Sequence, residues 1–332
     1  MNISILGAGA WGTALAMSLA DRHSVVLWGR DAAVMQDAET RRENSTYLPG
    51  FRFPDSLSVS SDLAAAIAHV GSDGLLLVAT SLSGLRPLAT QLKSYAIPNL
   101  VWLCKGFEEK THLLPHQIVH EILGNDIPAG ALSGPSFAQE VARGLPCALA
   151  IASDNAALRE RVVSVMHGQT IRIYSTDDLI GVEVGGAVKN ILAIATGIID
   201  GLGLGLNARA ALITRGLAEI TRFGVALGGR VETFMGLAGV GDLILTCTGD
   251  LSRNRKVGLG LAQDKKLDQI VRELGHVAEG VRCAQAVRGL AAEHGVDMPI
   301  TNAVAGVLFE DDSPREMVKR LLSRDSRDET AA

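Results

Sequence analysis

The sequence predicts an α/β fold in two parts, a parallel β-sheet covered by helices and then an all-α region. Short apolar runs alternate with helical patterns up to about residue 176, which is typical of a parallel sheet buried on both faces. From Asp178 onward strand signals almost vanish, and apolar residues recur at helical spacing among glycines. We therefore expect a first domain over residues 1–180 and an all-helical second domain over residues 181–332.

The individual elements follow from the apolar periodicity and from the residues that flank each run. Runs of four to six apolar residues, bounded by polar residues or glycine, predict strands at 3–6, 24–28, 75–79, 100–104, 147–151 and 171–174. Helical spacing predicts helices at 11–20, 83–93 and 155–166 in the first domain, and at 182–202, 209–223 and from 231 in the second.

Composition narrows the classes of function. The formal net charge of −5 argues against a general affinity for nucleic acid or anionic membranes, so an anionic substrate needs a local positive site. The cysteines are widely scattered and no His/Cys/carboxylate cluster has ligand spacing, which predicts reduced thiols and no metal site. We see no leader peptide and no apolar run of about 20 residues, and expect a cytoplasmic protein without membrane insertion.

The segment at residues 7–12, Gly-Ala-Gly-Ala-Trp-Gly, follows a predicted strand and opens a predicted helix. In this G-x-G-x-x-G spacing Gly7 permits a tight turn, Gly9 lets a diphosphate approach the backbone, and Gly12 lets the helix pack on the strand. The helix N-terminus then attracts the diphosphate. The segment predicts a Rossmann-type dinucleotide site, and the alternative is a glycine-rich turn without a ligand.

The end of the second predicted strand bears on the choice of cofactor. An enzyme strict for NAD usually has an acid there, which accepts a hydrogen bond from the adenosine ribose. Here Arg30 stands at that position, and its guanidinium could pair with a 2′-phosphate. We therefore favour NADP, with NAD left open. The alternative is a solvated surface arginine beside Asp31.

Two segments in the first half carry candidate polar groups. Lys105 follows a predicted strand, at the edge where open α/β sheets bind ligands, although an isolated lysine there is more often an exposed loop residue. The turn at residues 133–138 includes Gly134 and Ser136, whose N–H and hydroxyl groups could hold a substrate oxygen. The alternative is an ordinary turn with Ser136 as a helix N-cap.

Lys189 lies in an apolar helical segment, shortly after two consecutive glycines. Gly185 and Lys189 are four residues apart and share a helix face, so we expect a hollow beside the amine. Burial lowers the pKa of a lysine and makes Lys189 a candidate proton shuttle. Asp242 and Thr246 share a face of a later helix, and Asp242 is the expected ionic partner. The alternatives are a snorkelling lysine and an N-cap aspartate.

The segment Ser252-Arg253-Asn254-Arg255 is predicted to be a loop. An arginine fork binds phosphate oxygens through two parallel hydrogen bonds, and Asn254 could add a donor. The alternative is a basic surface loop. Further on, Val277 and Glu279 lie in a segment that is a candidate cofactor lid.

The motifs together resemble the bacterial NAD(P)-dependent glycerol-3-phosphate dehydrogenases. Several motifs in fixed order are far more specific than any one of them, and the resemblance runs from about residue 3 to residue 310. The motifs are Gly-x-Gly-x-Trp-Gly-Thr-Ala-Leu-Ala, Cys-Lys-Gly, Ser-Gly-Pro-Ser-Phe-Ala, Gly-Gly-Ala-Val-Lys-Asn, Gly-Leu-Ala-Gly-Val-Gly-Asp-Leu and Ser-Arg-Asn.

The resemblance implies a reaction and a set of site residues. The reaction is hydride transfer between NAD(P)H and dihydroxyacetone phosphate, supplying glycerol 3-phosphate for phospholipid synthesis, in a homodimer. The implied catalytic residues are Lys189, Asp242 and Lys105. The implied substrate contacts are Lys105, Gly134, Ser136, Lys189, Asn190, Asp242, Thr246, Ser252, Arg253 and Asn254. The implied cofactor contacts are Gly7, Gly9, Ala10, Trp11, Gly12, Arg30, Lys105, Ala138, Arg253, Val277 and Glu279.

One position departs from the family, because Ala10 stands where a small hydroxyl residue is frequent, which weakens one contact to the diphosphate. Two other interpretations remain open at this point. One is a 3-hydroxyacid dehydrogenase of similar architecture, and the other is a non-enzymatic protein that senses a dinucleotide.

Overall fold

The computed structural model of the protein describes residues 1–275 and 278–324. The chain forms two compact units, and each is continuous in space but not in sequence. The first unit contains Met1–Cys104 and Pro115–Leu179, and the second contains Lys105–Leu114 and the chain from Ile180 onward.

An eight-stranded sheet forms the centre of the first unit, in the order β3-β2-β1-β4-β5-β6-β7-β8. The first six strands are parallel and follow the Rossmann order 3-2-1-4-5-6. The predicted fold class is therefore confirmed. The strands are β1 (Asn2–Leu6), β2 (Ser24–Trp28), β3 (Leu57–Ser60), β4 (Leu75–Val78), β5 (Leu100–Trp102), β6 (Ala129–Ser133), β7 (Cys147–Ala152) and β8 (Ile171–Thr176).

The last two strands differ from the expectation of a uniformly parallel sheet. β7 pairs antiparallel with β6, in the register Leu132↔Ile151, and β8 pairs parallel with β7. The only helix between β6 and β7 is Ala138–Ala142. Five helical residues advance about 7.5 Å, whereas a five-residue strand spans about 17 Å. This helix is too short to carry the chain back along the sheet, so β7 returns in the opposite direction.

Seven helices accompany the sheet, three of them predicted from the sequence. Leu15, Leu77 and Ile151 are among the fully buried residues between the helices and strands. The sequence analysis missed β3, β6 and four helices, because these elements are short or polar; α2, for example, buries only Met35 and Ala38. The helices are α1 (Ala10–Ala20), α2 (Ala32–Arg41), α3 (Leu63–Val70), α4 (Leu82–Leu92), α5 (Pro115–Leu123), α6 (Ala138–Ala142) and α7 (Ala156–Met166).

The second unit is helical, as predicted. A π-helical turn at Leu237–Gly241 joins α10 to α11, so the helix predicted from residue 231 has only four residues before it is interrupted. The helices are α8 (Leu179–Gly201), α9 (Gly205–Ala226), α10 (Val231–Phe234), α11 (Asp242–Thr248), α12 (Arg253–Ala262), α13 (Leu267–Leu274), α14 (Glu279–Glu293), α15 (Pro299–Phe309) and α16 (Pro314–Leu322).

The helix α8 is the central element of the second unit. Its residues Ile191, Leu192 and Ile194 are fully buried in the unit's core. By length and composition alone, α8 and the segment Val231–Thr248 could each cross a membrane, so the expectation that no apolar run is long enough was wrong. The most apolar window of α8 is completely buried inside the protein, and this packing accounts for its composition.

A buried carboxyl group outside the predicted site joins α9 to α15. Glu219 accepts hydrogen bonds from the backbone N–H groups of Ile300 (2.6 Å) and Thr301 (3.2 Å) and from the Thr301 hydroxyl. Burial raises the pKa of Glu219 to about 7, although these hydrogen bonds and Arg222 oppose the rise.

We predict that Glu219 makes stability depend on pH. Between about pH 4.5 and pH 7 the folded protein retains a proton on Glu219 that the unfolded chain releases, so the free energy of unfolding falls as the pH rises. The full effect at higher pH is roughly 3 kcal/mol. Urea unfolding at a series of pH values should show that Glu219→Gln lacks this decrease. The exposed control Glu232→Gln should retain it, and an equal pH slope in all three proteins would contradict the prediction.

Candidate active site

The glycine fingerprint has a different steric requirement at each position. Gly7 has a φ of +129°, and a Cβ there would lie 2.7 Å from backbone atoms of Ala79. A Cβ on Gly12 would lie 2.1 Å from the carbonyl oxygen of Gly7, so this glycine is required by the packing of α1 on the turn. A Cβ on Gly9 would meet nothing within 4 Å. The backbone at Gly9 therefore faces open space beside the N-terminus of α1.

The surroundings of this turn fit a dinucleotide. Gly9 and Ala10 lead into the first turn of α1, where backbone N–H groups lack helical partners and attract a diphosphate. Among the described residues, two buried hydroxyls at the carboxyl ends of strands, Thr80 Oγ1 and Ser133 Oγ, have no hydrogen-bond partner. Trp11 is half-buried at the same helix start. Ligands of open α/β sheets bind at this edge, so the turn is a suitable cradle.

Arg30 is exposed immediately after β2. The neighbouring Asp31 carboxylate accepts hydrogen bonds from the backbone N–H groups of Ala33 (3.0 Å) and Val34 (3.1 Å), and thereby caps α2. Asp31 therefore has a structural partner of its own, and the guanidinium of Arg30 points into solvent where a 2′-phosphate could approach it.

The turn after β6 has a packing requirement of its own. Gly134 has a φ of +140°, and a Cβ there would lie 3.0 Å from the carbonyl oxygen of Ala148 in β7. The Ser136 hydroxyl donates to the carbonyl oxygen of Gly134 at 3.2 Å. Phe137, not Ser136, is the N-cap residue of α6, which starts at Ala138. The N-cap alternative for Ser136 is therefore wrong, and its hydroxyl oxygen remains able to accept a hydrogen bond.

A buried ionic cluster lies in the second unit. The Asp242 carboxylate accepts from the Lys189 ammonium at 2.5 Å through Oδ1 and from the Lys105 ammonium at 2.6 Å through Oδ2. The Lys189 Nζ also donates to Thr246 Oγ1 at 2.9 Å, while the Thr246 hydroxyl donates to the Asp242 carbonyl oxygen. Lys189 and Asp242 are both buried, so the predicted ionic partner of Lys189 is confirmed.

Close backbone packing brings these residues together. A Cβ on Gly185 would lie 2.5 Å from the carbonyl oxygen of Ala238, in the π-helical turn that precedes Asp242. The expected hollow beside the amine is therefore wrong, because the space left by the missing side chain is taken by backbone. Phe107, two residues after Lys105, is buried in the core of the second unit and packs against Phe223.

The cluster shifts the pKa values of Lys189 and Asp242. Burial and the nearby Lys105 lower the pKa of Lys189, Asp242 opposes them, and the resulting pKa is about 8. Burial alone would raise the pKa of Asp242, but the two ammonium groups outweigh it and hold this pKa below its usual range. Two cations around one anion leave a net positive charge in a buried site, which favours a ligand oxygen that gains negative charge.

The asparagines Asn190 and Asn254 form a bridge between helices. The Asn254 side-chain amide donates to Asn190 Oδ1 at 2.9 Å and accepts from the Gly280 N–H at 3.0 Å. Asn190 in turn donates weakly to Glu279 at 3.5 Å. Among the described residues, Asn254 thus keeps one side-chain N–H for a ligand, because its oxygen and one of its donors are used.

The predicted phosphate segment is not a loop. Ser252 caps α12, its hydroxyl accepting from the Arg255 N–H at 3.2 Å, and Arg253 is the exposed first residue of the helix. Serine is a favoured N-cap residue, which is consistent with a helix start here. The two arginines that follow oppose the helix dipole at this end, and for that reason the segment was predicted to be a loop. Arg255 is ion-paired with Asp200, and this pair was missed because its residues are 55 positions apart.

The structure places the remaining predicted residues as follows. Glu279 is the first residue of α14, and Ala138 is the first residue of α6. Val277 lies outside the described residues. Within residues 1–275 and 278–324, no group of three or more His, Cys, Asp or Glu side chains could hold a metal ion.

A Rossmann unit with a dinucleotide cradle and a helical unit with a buried lysine of near-neutral pKa define the class of nicotinamide-dependent dehydrogenases. The comparisons with known proteins agree with this class. The N-terminal and C-terminal models of NAD-dependent glycerol-3-phosphate dehydrogenase match residues 2–159 and 178–319. The chain therefore belongs to the NAD-dependent glycerol-3-phosphate dehydrogenase family, and the resemblance seen in its motifs is confirmed.

Individual relatives cover the whole chain. A glycerol-3-phosphate dehydrogenase, NAD(P)+, from Herminiimonas arsenicoxydans is 86% identical over 331 residues, which is 100% of both chains. One of the same name from Paucimonas lemoignei is 70% identical over 99% of each chain. The crystal structure of glycerol-3-phosphate dehydrogenase from Coxiella burnetii is 42% identical, with a TM-score of 0.92 over 97% of this chain and 98% of that one.

We predict that two fingerprint glycines respond differently to the same substitution. Gly9→Ala adds a Cβ in open space, so the thermal unfolding midpoint should stay within a few degrees, while affinity for NADPH falls at least tenfold because the methyl group keeps the diphosphate from the backbone. Gly12→Ala should lower the midpoint strongly, because its Cβ meets the Gly7 carbonyl. Titration of cofactor fluorescence and differential scanning calorimetry would measure both. Unchanged cofactor affinity in Gly9→Ala would argue against this site.

Proposed function

We propose that this protein transfers a hydride between NAD(P)H and dihydroxyacetone phosphate, forming sn-glycerol 3-phosphate, and catalyses the reverse reaction as well. The observation that carries the proposal is the buried cluster of Lys189, Asp242 and Lys105, in which the pKa of Lys189 is about 8. Family membership supplies the substrate class, because the relatives described above are glycerol-3-phosphate dehydrogenases.

Lys189 is the proposed proton donor in the reductive direction. An ammonium has three donors, and within the described residues Asp242 and Thr246 take two of those on Lys189. The third can donate to the carbonyl oxygen at C2 of dihydroxyacetone phosphate. When bound, a reduced nicotinamide would supply the hydride to C2 and would be left as the oxidised nicotinamide. As negative charge develops on the oxygen, Lys189 transfers its proton there, and the products are an alcohol and a neutral amine.

Asp242 and Lys105 support this transfer electrostatically. The carboxylate stabilises the ammonium form of Lys189, which burial alone would discharge, so that a proton is present at neutral pH. Lys105 neutralises the carboxylate and leaves the cluster with a net positive charge, which stabilises the alkoxide as it forms. In the oxidative direction the neutral amine of Lys189 accepts the hydroxyl proton.

The N-terminus of α12 is the proposed phosphate site. The exposed guanidinium of Arg253 can bind phosphate oxygens in a bidentate manner, and the Asn254 amide N–H that has no partner in the described part of the chain can add a donor. The backbone N–H groups of this first helical turn and the helix dipole add to the attraction. Binding energy at the phosphate, which is remote from the reacting carbon, then serves to orient the carbonyl group.

We further propose the finer properties that the sequence analysis favoured. NADP is the favoured cofactor because Arg30 is exposed after β2 and no acid stands in its place. A cytoplasmic location is supported by four free thiols, three of them buried. A homodimer is supported by exposed apolar side chains of the helical unit, including Leu206 and Met235, which a partner subunit would cover.

We predict that Lys189→Met removes most of the activity and leaves the cofactor site intact. The substitution retains the apolar stem and deletes the ammonium, so kcat for dihydroxyacetone phosphate should fall about 10²–10⁴-fold. The wild-type kcat/KM for reduction should decline above about pH 8, as Lys189 loses its proton, and the oxidative value should rise through the same pH. Oxidation of NADPH followed by absorbance measures all of these rates.

The exposed Lys319→Ala serves as the matched control and should keep wild-type rates. A 3-hydroxyacid without phosphate should be inert in this assay. Near-normal turnover by Lys189→Met would exclude the proposed role of the ammonium, and absence of any wild-type turnover of dihydroxyacetone phosphate would exclude the function itself.

We predict that Arg30→Ala changes the cofactor preference. A charge-assisted hydrogen bond contributes about 1.5–3 kcal/mol, so the Kd for NADPH should rise about 10- to 100-fold while that for NADH changes little. Fluorescence titration with both nucleotides measures the two constants. Arg41→Ala, at the exposed end of α2, is the control. Equal weakening of both nucleotides, or of neither, would show that Arg30 does not select for the 2′-phosphate.

A further inference from the structure

An ion pair that the proposed reaction does not use joins α8 to the first turn of α12. Asp200 is the penultimate residue of α8. Its Oδ2 accepts a hydrogen bond from the Nε of Arg255 at 2.8 Å and lies 2.8 Å from an Nη of the same guanidinium, and its Oδ1 lies 3.3 Å from the Nε of Arg209. The side chains of Asp200 and Arg255 are only 12% and 13% exposed. A largely buried fork of this kind has a defined geometry, unlike an exposed ion pair.

The two residues that follow Arg253 are thus attached to the same helix. Asn254 is hydrogen-bonded to Asn190, and Arg255 is ion-paired with Asp200, so α8 holds the first turn of α12 at two points ten residues (about 15 Å) apart along the α8 axis. Arg253 itself is exposed and immediately precedes these two attached residues in the chain.

The helices α8 and α12 lie close enough for these two side-chain contacts because their backbones touch where they cross. A Cβ on Gly197 of α8 would lie 2.1 Å from the Arg255 carbonyl oxygen, and a Cβ on Gly258 of α12 would lie 2.0 Å from the Ile194 carbonyl oxygen. Side chains larger than hydrogen would separate the helices at this crossing. The ion pair therefore acts on a rigid contact, where it can determine the rotation and register of the helix start.

The charge on Arg255 requires a partner at this position. A cation in the first turn of a helix is repelled by the helix dipole, and Arg255 is only slightly exposed. The carboxylate of Asp200 compensates this charge. The second acid near Arg255 is Asp250, whose Oδ1 lies 3.0 Å from an Nη, but its side chain is 95% exposed, so water screens the contact.

We propose that Asp200 is a positioning residue: through Arg255 it sets the first turn of α12 relative to the helix that carries Lys189, and so fixes where Arg253 holds the substrate phosphate. The inference rests on the proposed function. Under this inference, Asp200 at the end of α8 contributes to substrate binding, and Lys189 in the middle of the same helix contributes to proton transfer. A merely structural ion pair would affect folding stability but not discriminate between substrates.

The experiment compares a phosphorylated substrate with its phosphate-free counterpart. For Asp200→Asn we expect the KM for dihydroxyacetone phosphate to rise at least tenfold, while kcat/KM for dihydroxyacetone at high concentration stays within twofold of wild type. Asp250→Asn, which removes the exposed acid from the same arginine, should leave both values within twofold. Arg255→Gln should reproduce the effect of Asp200→Asn, and the double variant should be no worse than either single one, because both act through one contact.

Arg255→Lys keeps the charge and loses the fork, and should show a smaller rise in KM; it provides the test if Asp200→Asn does not fold, as judged by its thermal unfolding midpoint. Equal losses with both substrates, additive effects in the double variant, or an unchanged KM in the folded variants would each overturn the inference. Turnover of dihydroxyacetone phosphate by the wild-type enzyme in the same assay tests the proposed function separately.

Discussion

The contact of one buried carboxylate with two ammonium groups is the constraint on which the helical unit depends. Asp242 and Lys189 are both buried, and neither charge would be tolerated there alone, because removing one member of a buried pair leaves an uncompensated charge. The charges are therefore compensated only when α8, α11 and the Lys105 segment come together in the folded protein. Its net positive charge is what makes it suited to an oxygen that becomes negative.

The long helix α8 organises this unit through what its glycines allow. Each glycine in a helix interior costs about 1 kcal/mol relative to alanine. Gly185 admits the backbone before Asp242, and Gly197 admits the backbone of α12. The same helix carries Lys189, whose amine is the proposed proton donor, and Asp200, which holds α12. The helix α8 thus fixes the position of the Lys189 amine relative to the proposed phosphate site. Its glycines lower the helix propensity, and the close packing offsets this cost.

The site residues of the two units differ in how far apart they lie along the sequence. In the Rossmann unit the strand, the turn and the helix that form the cradle are consecutive over residues 2–20, so local spacing alone indicates them. In the helical unit the partners of Lys189 lie 53 and 57 residues away in sequence, and Lys105 lies 137 residues from Asp242. Family membership is readable from either unit, since both family models match the chain.

The sequence by itself determined the fold class, the dinucleotide fingerprint, the helical nature of the second half and the family, because these depend on residue spacing within short segments. It also indicated the pair of Lys189 and Asp242, since a buried charge requires an opposite one. Tertiary structure alone decided that β7 runs antiparallel, that Gly185 faces backbone rather than a hollow, and that Arg255 pairs with Asp200. These features arise from contacts between distant segments, and periodicity along one segment carries no record of what packs against it.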